Sequence, residues 1–133
     1  MKFATIGILG GGQLGRMMAF DAQRMGMRVV VLDPDPNAPA GQVANQHLVG
    51  SFRDPQKIAE LAQHCDVVTV EIEHVDTDAL EALEKQGVAI QPSARTVRLI
   101  QDKYAQKQHF DAIGIPLAPF VNVPDEEAAY KAG

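Results

Sequence analysis

The pattern of apolar and polar positions divides the chain into short apolar runs separated by amphipathic stretches, an order that predicts alternating strands and helices. Phe3 to Leu9 is apolar and rich in β-branched residues, and predicts a first strand. In the helical stretch that follows, Leu14, Met17, Met18, Ala22 and Met25 fall near helical spacing and are expected to form its buried stripe, with Gly26 as the stop. Core packing explains these methionines, with Met27, better than a binding surface does. Arg28 to Leu32 reads as a strand buried on both faces. The prolines at 34, 36 and 39 make residues 34–40 a stiff loop. His47 to Val49 predicts a short third strand. Asp54-Pro55 opens a helix with Ile58, Leu61 and Ala62 inside. Asp66 to Val70 is the fourth strand, followed at its C-terminal end by Glu71-Ile72-Glu73-His74-Val75.

Asp76 or Thr77 caps the next helix, which buries Leu80 and Leu83 and stops at Gly87. Val88 to Gln91 predicts a fifth strand. Ser93 caps a helix from Ala94 to Ile100, and another runs from Asp102 to Ile113 and ends at Gly114. Leu117 to Val123 reads as extended. Pro124 to Glu127 opens a last helix in which the chain stops, which reads as a cut. The glycine pattern organises all of this. A strand runs into Gly10-x-Gly12-x-x-Gly15 and then into a helix, the order in which that motif has mechanical meaning. Gly10 permits a tight turn, Gly12 lets another group approach the backbone, and Gly15 lets the helix pack on the sheet. The fold class is α/β, a Rossmann-like doubly wound parallel sheet of about five strands with flanking helices.

Composition narrows the function classes. The 133 residues suffice for one compact domain, and 46% apolar content supports a core. With 17 acidic and 12 basic residues, a net charge of -5 and no basic cluster, nucleic acid and anionic membranes are poor partners. No apolar run is long enough to span a membrane, no signal peptide is legible, and the lone Cys65 fits a reducing, cytoplasmic setting.

Candidate chemistry gathers at the C-terminal strand ends, where ligands bind in open parallel sheets. The glycine turn offers backbone N–H groups and a helix N-terminus suited to phosphate or carboxylate, together with the amide of Gln13. Asp33, closing the second strand, stands where a dinucleotide binder holds ribose hydroxyls. If the strand persists past Val70, Glu71 and Glu73 point the same way and Ile72 the other. This suits a phosphorylated ligand that also carries hydroxyls or an amine; the competing reading is a pair of solvated strand-end acids. His47, His64, His74 and His109 show no metal spacing, and only His74 is well placed. Cys65 reads as a small structural hydrophobe. Lys103 and Lys107 share a helix face, by default a solvated one.

Taken together, ILGGGQLGRMM, LDPDPNAPAGQVA, the EIEHV strand end, IQPSARTVRLIQDKYAQKQHFDAIGIP and the following APF closely resemble the N-terminal part of the N5-carboxyaminoimidazole ribonucleotide synthetases, ATP-grasp ligases of purine biosynthesis. Glycinamide ribonucleotide transformylases that use formate, and biotin carboxylases, share the architecture but are less similar at Gln13, Arg16 and DKYAQK. The resemblance implies a pre-ATP-grasp substrate-binding domain over residues 1–100. Residues 101–133 would then be a linking helix and the start of an ATP-grasp domain. It implies that Gly12, Gln13, Leu14, Gly15, Glu71, Glu73 and His74 hold 5-aminoimidazole ribonucleotide, that Lys103 contacts ATP, and that Asp33 braces the proline loop. In the family, Mg2+ and ATP activate bicarbonate as carboxyphosphate, which carboxylates the substrate's amine. The second ATP lysine and the magnesium ligands would lie beyond residue 133, so no catalytic or metal residue is expected in this chain. It is expected to fold, to bind ribonucleotide weakly and to turn nothing over. The resemblance also implies a homodimer. The alternatives are an NAD-binding oxidoreductase module, using the glycine turn and Asp33, and a non-catalytic ligand-binding domain.

Overall fold

The computed structural model describes residues 4–132; Phe3, at the expected start of the first strand, lies outside them. The chain divides into two compact units, residues 1–98 and 99–133. In the first, five strands form one sheet: β1 (Thr5–Leu9), β2 (Arg28–Asp33), β3 (Gln46–Val49), β4 (Val67–Val70) and β5 (Ile90–Gln91). Their order is β3-β2-β1-β4-β5, and every pair is parallel. The helices α1 (Gln13–Arg24), α2 (Pro55–Gln63), α3 (Thr77–Lys85) and α4 (Ala94–Gln101) fall between or after the strands. This is the expected doubly wound α/β architecture.

Successive strand residues point to opposite faces, so a sheet covered on both sides needs unbroken apolar runs. Leu9, Val30, Leu32, Val68 and Ile90 pack on one face with Ile58 and Leu61 of α2, Leu80 and Leu83 of α3, and Val97 of α4. Ile8, Val29 and Val31 face the other way, against Ala19 and Ala22 of α1 and Ala40 of the proline loop.

One expectation fails in α1. Leu14, Met17 and Met25 are 62%, 62% and 69% exposed, and the residues α1 buries are Gly15, Ala19 and Ala22. The first turn of the helix lies close against the glycine turn, where a Cβ on Gly15 would fall 2.8 Å from the Gly10 carbonyl oxygen. Small residues therefore carry most of the contact, Ala22 among them as expected; Met18 packs half-buried against the same cluster, and Met17 and Met25 face outward. The predicted caps are present: Asp54 accepts from Gln56 N–H, Asp76 from Ala79 N–H, and Ser93 Oγ from Thr96 N–H. Gly26 follows α1 at φ 80°, the left-handed conformation that ends many helices. The fifth strand is shorter than expected, at Ile90–Gln91.

The second unit holds α5 (Lys103–Ala112) and α6 (Glu126–Ala132). Asp102 caps α5 by accepting from Tyr104 and Ala105 N–H. Residues 115–124 carry no regular strand pairing. Phe120 returns against α5, edge-on to Tyr104 at 5.9 Å and under the Lys107 ammonium at 5.5 Å.

Candidate functional site

The chain leaves β1 for β2 and β3 on one side, then crosses to β4 on the other. The switch point therefore lies between β1 and β4, the place where open parallel sheets bind ligands. The register pairs Leu9 with Val70, which sets Gly10 beside Glu71 as the two strands end. Glu71 N–H donates to the Leu9 carbonyl at 2.8 Å and closes the ladder.

The glycine turn is held rigidly. Gly10 has φ +99° and donates its N–H to the Leu32 carbonyl at 3.0 Å. An L side chain is strained at that φ, and its Cβ would also lie 2.9 Å from Ile72 Cγ2. Gly11 N–H donates to Asp33 Oδ2 at 2.7 Å, while Asp33 Oδ1 accepts from Asp35 N–H at 2.8 Å. Asp33 thus accepts one hydrogen bond from the glycine turn and one from the proline loop and braces the two together. The loop is fastened in return: Ala40 N–H donates to the Gly11 carbonyl at 2.8 Å, and Ala38 and Ala40 are fully buried. Ala38 and Ala40 had no expected role. Their signal was a small residue on either side of Pro39, which lets a stiff loop lie flat on a glycine turn.

Gly12 caps α1 without a side-chain hydrogen bond, so the next N–H groups depend on neighbours. Gln13 and Leu14, in the first helical turn, are exposed. The Glu71 carboxylate lies across the turn. A Cβ built on Gly10 would fall 2.5 Å from its Oε2, and one on Gly12 2.8 Å from its Oε1.

The strand does not persist past Val70, so Glu71 and Glu73 are not successive residues of one strand face. The chain bends through 71–73, and Val75 N–H donates to the Glu73 carbonyl at 2.9 Å. This turn puts Glu73 Oε1 4.0 Å from His74 Nε2, with the His74 side chain exposed. Arg53, in the loop after β3, donates from Nε to the His74 carbonyl at 3.0 Å and pins the segment. Nothing in the sequence marked Arg53, because the contact depends on two loops meeting across strand ends.

The remaining candidates fall elsewhere. Lys103 is exposed in the first turn of α5, in the second unit. Cys65 packs against Gly7 and Leu61, and burial together with the Asp66 charge pushes its thiol up to about 12. It is held as a neutral thiol, not a nucleophile. His47 Nε2 is buried without a hydrogen-bond partner. Among the described residues no group of His, Cys, Asp and Glu is placed to hold a metal ion. No described helix is long and apolar enough to cross a membrane.

At the switch point the first turn of α1, with exposed Gln13 and Leu14, meets the Glu71–His74 segment, whose carboxylates and imidazole can accept hydrogen bonds from hydroxyls or an amine. Residues 3–101 match the family model described as the ribonucleotide synthetase pre-ATP-grasp domain. The chloroplastic phosphoribosylaminoimidazole carboxylase of Vigna aconitifolia is 54% identical over 93% of this chain and 22% of its own length. N5-carboxyaminoimidazole ribonucleotide synthetase of Thermotoga maritima superposes with TM-score 0.87 at 43% identity, over 98% of this chain and 36% of that one. The Aspergillus clavatus N5-carboxyaminoimidazole synthase, solved with ADP and 5-aminoimidazole ribonucleotide, gives 0.80 at 48% identity over 88% and 31%. The chain thus spans between about a fifth and about a third of the length of these relatives, as the covered shares show.

Proposed function

The chain belongs to the ribonucleotide synthetase pre-ATP-grasp domain family, and from that premise we propose that it is the substrate-side part of an ATP-dependent carboxylating ligase of purine biosynthesis. The whole reaction would join 5-aminoimidazole ribonucleotide and bicarbonate, driven by ATP, to give N5-carboxyaminoimidazole ribonucleotide, ADP and phosphate. The observation that carries the reading is the meeting of the α1 first turn and the Glu71–His74 segment at the switch point between β1 and β4. The names of the relatives support it, as does the solved Aspergillus relative with this ribonucleotide bound.

In this proposal Gly12 and Gly15 shape the turn, Gln13 and Leu14 lie along the ribonucleotide, and Glu71, Glu73 and His74 face its hydroxyl or amine side. Lys103 would meet a phosphate of ATP; a single exposed lysine fits that role but forms no nucleotide cradle by itself. When bound, ATP supplies the phosphoryl group that activates bicarbonate. Among the described residues no group of His, Cys, Asp and Glu is placed to hold magnesium. Residues 1–100 would be the substrate domain and 101–133 the linking helix and the start of the ATP-grasp region, in a cytoplasmic protein. The NAD alternative is disfavoured by Asp33, whose carboxylate is occupied by the Gly11 and Asp35 N–H groups.

The test is a titration of isotope-labelled protein with 5-aminoimidazole ribonucleotide and, separately, NADH, followed through backbone amides. Saturable shifts at Gly12–Gly15 and Glu71–His74 with the ribonucleotide alone are expected. NADH shifts at the same turn and at Asp33 would overturn the assignment. A homodimer is part of the same proposal, and the exposed Met17 and Phe20 on the outer side of α1 offer apolar surface for it. Sedimentation equilibrium giving only monomer would remove that part.

A further inference from the structure

Two loops meet over the strand ends, and one side chain joins them. The first, residues 50–54, follows β3; the second, residues 71–76, follows β4. Each is anchored beside the junction. Phe52 packs against the apolar cluster that includes α2 and α3, and Val75 is buried within that cluster. Asp76 N–H donates to the Phe52 carbonyl at 3.3 Å. Between these anchors, Arg53 Nε donates to the His74 carbonyl at 3.0 Å. Val75 N–H donates to the Glu73 carbonyl at 2.9 Å. The peptide unit joining His74 to Val75 is therefore held at both ends, its C=O by Arg53 and its N–H by Glu73. Fixing that unit constrains the backbone that carries Glu73 and His74, whose Oε1 and Nε2 stand 4.0 Å apart.

We infer that Arg53 is a positioning residue for ligand binding: by locking the His74–Val75 peptide unit, it presets the side chains of Glu73 and His74. The inference rests on the proposed function and adds to it a residue that touches no ligand itself. The bond lies at the surface, so water replaces it at little cost in stability when it is cut. The loss falls on binding, because acceptors that move must be ordered again when the ligand arrives. A fall in affinity of about three- to tenfold follows. The acceptor is a neutral carbonyl, and Arg53 makes no ion pair among the described residues. What matters is thus a donor at the reach of Nε, not a positive charge. Glutamine carries its side-chain N–H as many bonds from the backbone as Arg Nε, and methionine matches that length without a donor.

The test uses the full chain, Arg53→Gln and Arg53→Met, with 5-aminoimidazole ribonucleotide as the probe. Without ligand, relaxation dispersion at the amides of Glu73–Val75 reads exchange of the loop on the microsecond-to-millisecond scale. Arg53→Met is expected to show such exchange and to bind the ribonucleotide about three- to tenfold more weakly, with its urea midpoint unchanged. Arg53→Gln is expected to match the parent in all three measurements. Equal losses in both variants would overturn the inference by assigning the effect to charge. So would an Arg53→Met variant that binds like the parent, or one whose urea midpoint falls with its affinity, the mark of a merely structural role. The parent separates the two levels. If it ignores the ribonucleotide, the proposed function fails, and the ligand-free exchange alone decides whether Arg53 locks the loop. If it binds and Arg53→Met shows no exchange, the inference fails and the proposed function stands.

Discussion

At the scale of single residues, Gly10 and Gly12 look alike in the sequence and differ in physical role. Gly10 sits at φ +99°, where a side chain is strained, and its Cβ would meet both Ile72 Cγ2 and Glu71. Gly12 has an ordinary φ of −67°, and its Cβ would meet only the far end of the flexible Glu71 side chain. Gly10→Ala is therefore expected to cost about 1–3 kcal/mol of stability, while Gly12→Ala should change it by less than about 1 kcal/mol and instead displace the carboxylate. Urea unfolding of both variants checks this, and equal losses would contradict it. Cys65 gives a prediction in pH. Its thiol is raised from 9.0 to about 12, chiefly by burial and then by Asp66. Folding thus favours the neutral form, and the associated stability is intact below pH 9.0 and is lost as pH rises towards about 12. The melting temperature of the parent should fall more steeply than that of Cys65→Ala across that window. Identical pH profiles would show that the thiol does not titrate differently in the folded chain.

At the scale of elements, the helix contacts show what a linear pattern can and cannot supply. Helices α2 and α3 were legible because their inner faces are Ile58, Leu61, Leu80 and Leu83, large residues at helical spacing after Asp caps. Helix α1 was misread at Leu14, Met17 and Met25, though not at Met18 and Ala22, because most of its contact face is Gly15, Ala19 and Ala22, small residues whose significance is close approach, not apolar bulk. The fourth strand ends at Val70 as expected, and the alternation that would have aligned Glu71 with Glu73 does not continue beyond it. The bend through 71–73 is set by tertiary contacts such as Arg53 with the His74 carbonyl. Helix α4 is tied to α3 by Arg98, which donates to Glu81 at 2.9 Å, Asp78 at 2.5 Å and Thr77 Oγ1 at 3.3 Å. The hydrogen bonds from Lys85 and then Arg98 lower the pKa of the Glu81 carboxyl below its ordinary value of 4.5. The contribution is therefore present above 4.5 and is lost as pH falls through the lowered value. Because the groups are solvent-exposed, salt should screen it. Arg98→Ala is expected to lower the melting temperature slightly near neutral pH and low salt, and to have no effect in strong acid. A deficit that persists in acid would mean that Arg98 acts through packing of its stem.

At the scale of the whole molecule, the two units differ in how they are held. The first carries a parallel sheet with buried apolar clusters on both faces, in which Ile8, Leu9, Leu32 and Ile58 are wholly removed from water. Burying side chains of this size stabilises by about 1.5–3 kcal/mol each, and the non-local pairing of β1 with β2 and β4 makes their loss cooperative. The second unit has no comparable interior: α5 buries no residue, and Ile113, Val121 and Tyr130 stand exposed. Among its ties are the Asp102 cap, the Tyr104–Phe120 edge contact and the Lys107–Phe120 contact, each worth about 1 kcal/mol. Opening of the second unit should therefore need much less free energy than opening of the sheet. Amides of α5 and residues 115–124 are expected to exchange with solvent orders of magnitude faster than those of β1, β2 and β4, and to do so without global unfolding. Ribonucleotide binding at the switch point should slow exchange in the glycine turn and leave α5 unchanged, since every residue proposed to hold it lies within residues 1–98. Equal protection across both units would show that the chain opens as one cooperative body, and would remove the basis for treating residues 1–98 as the part that binds.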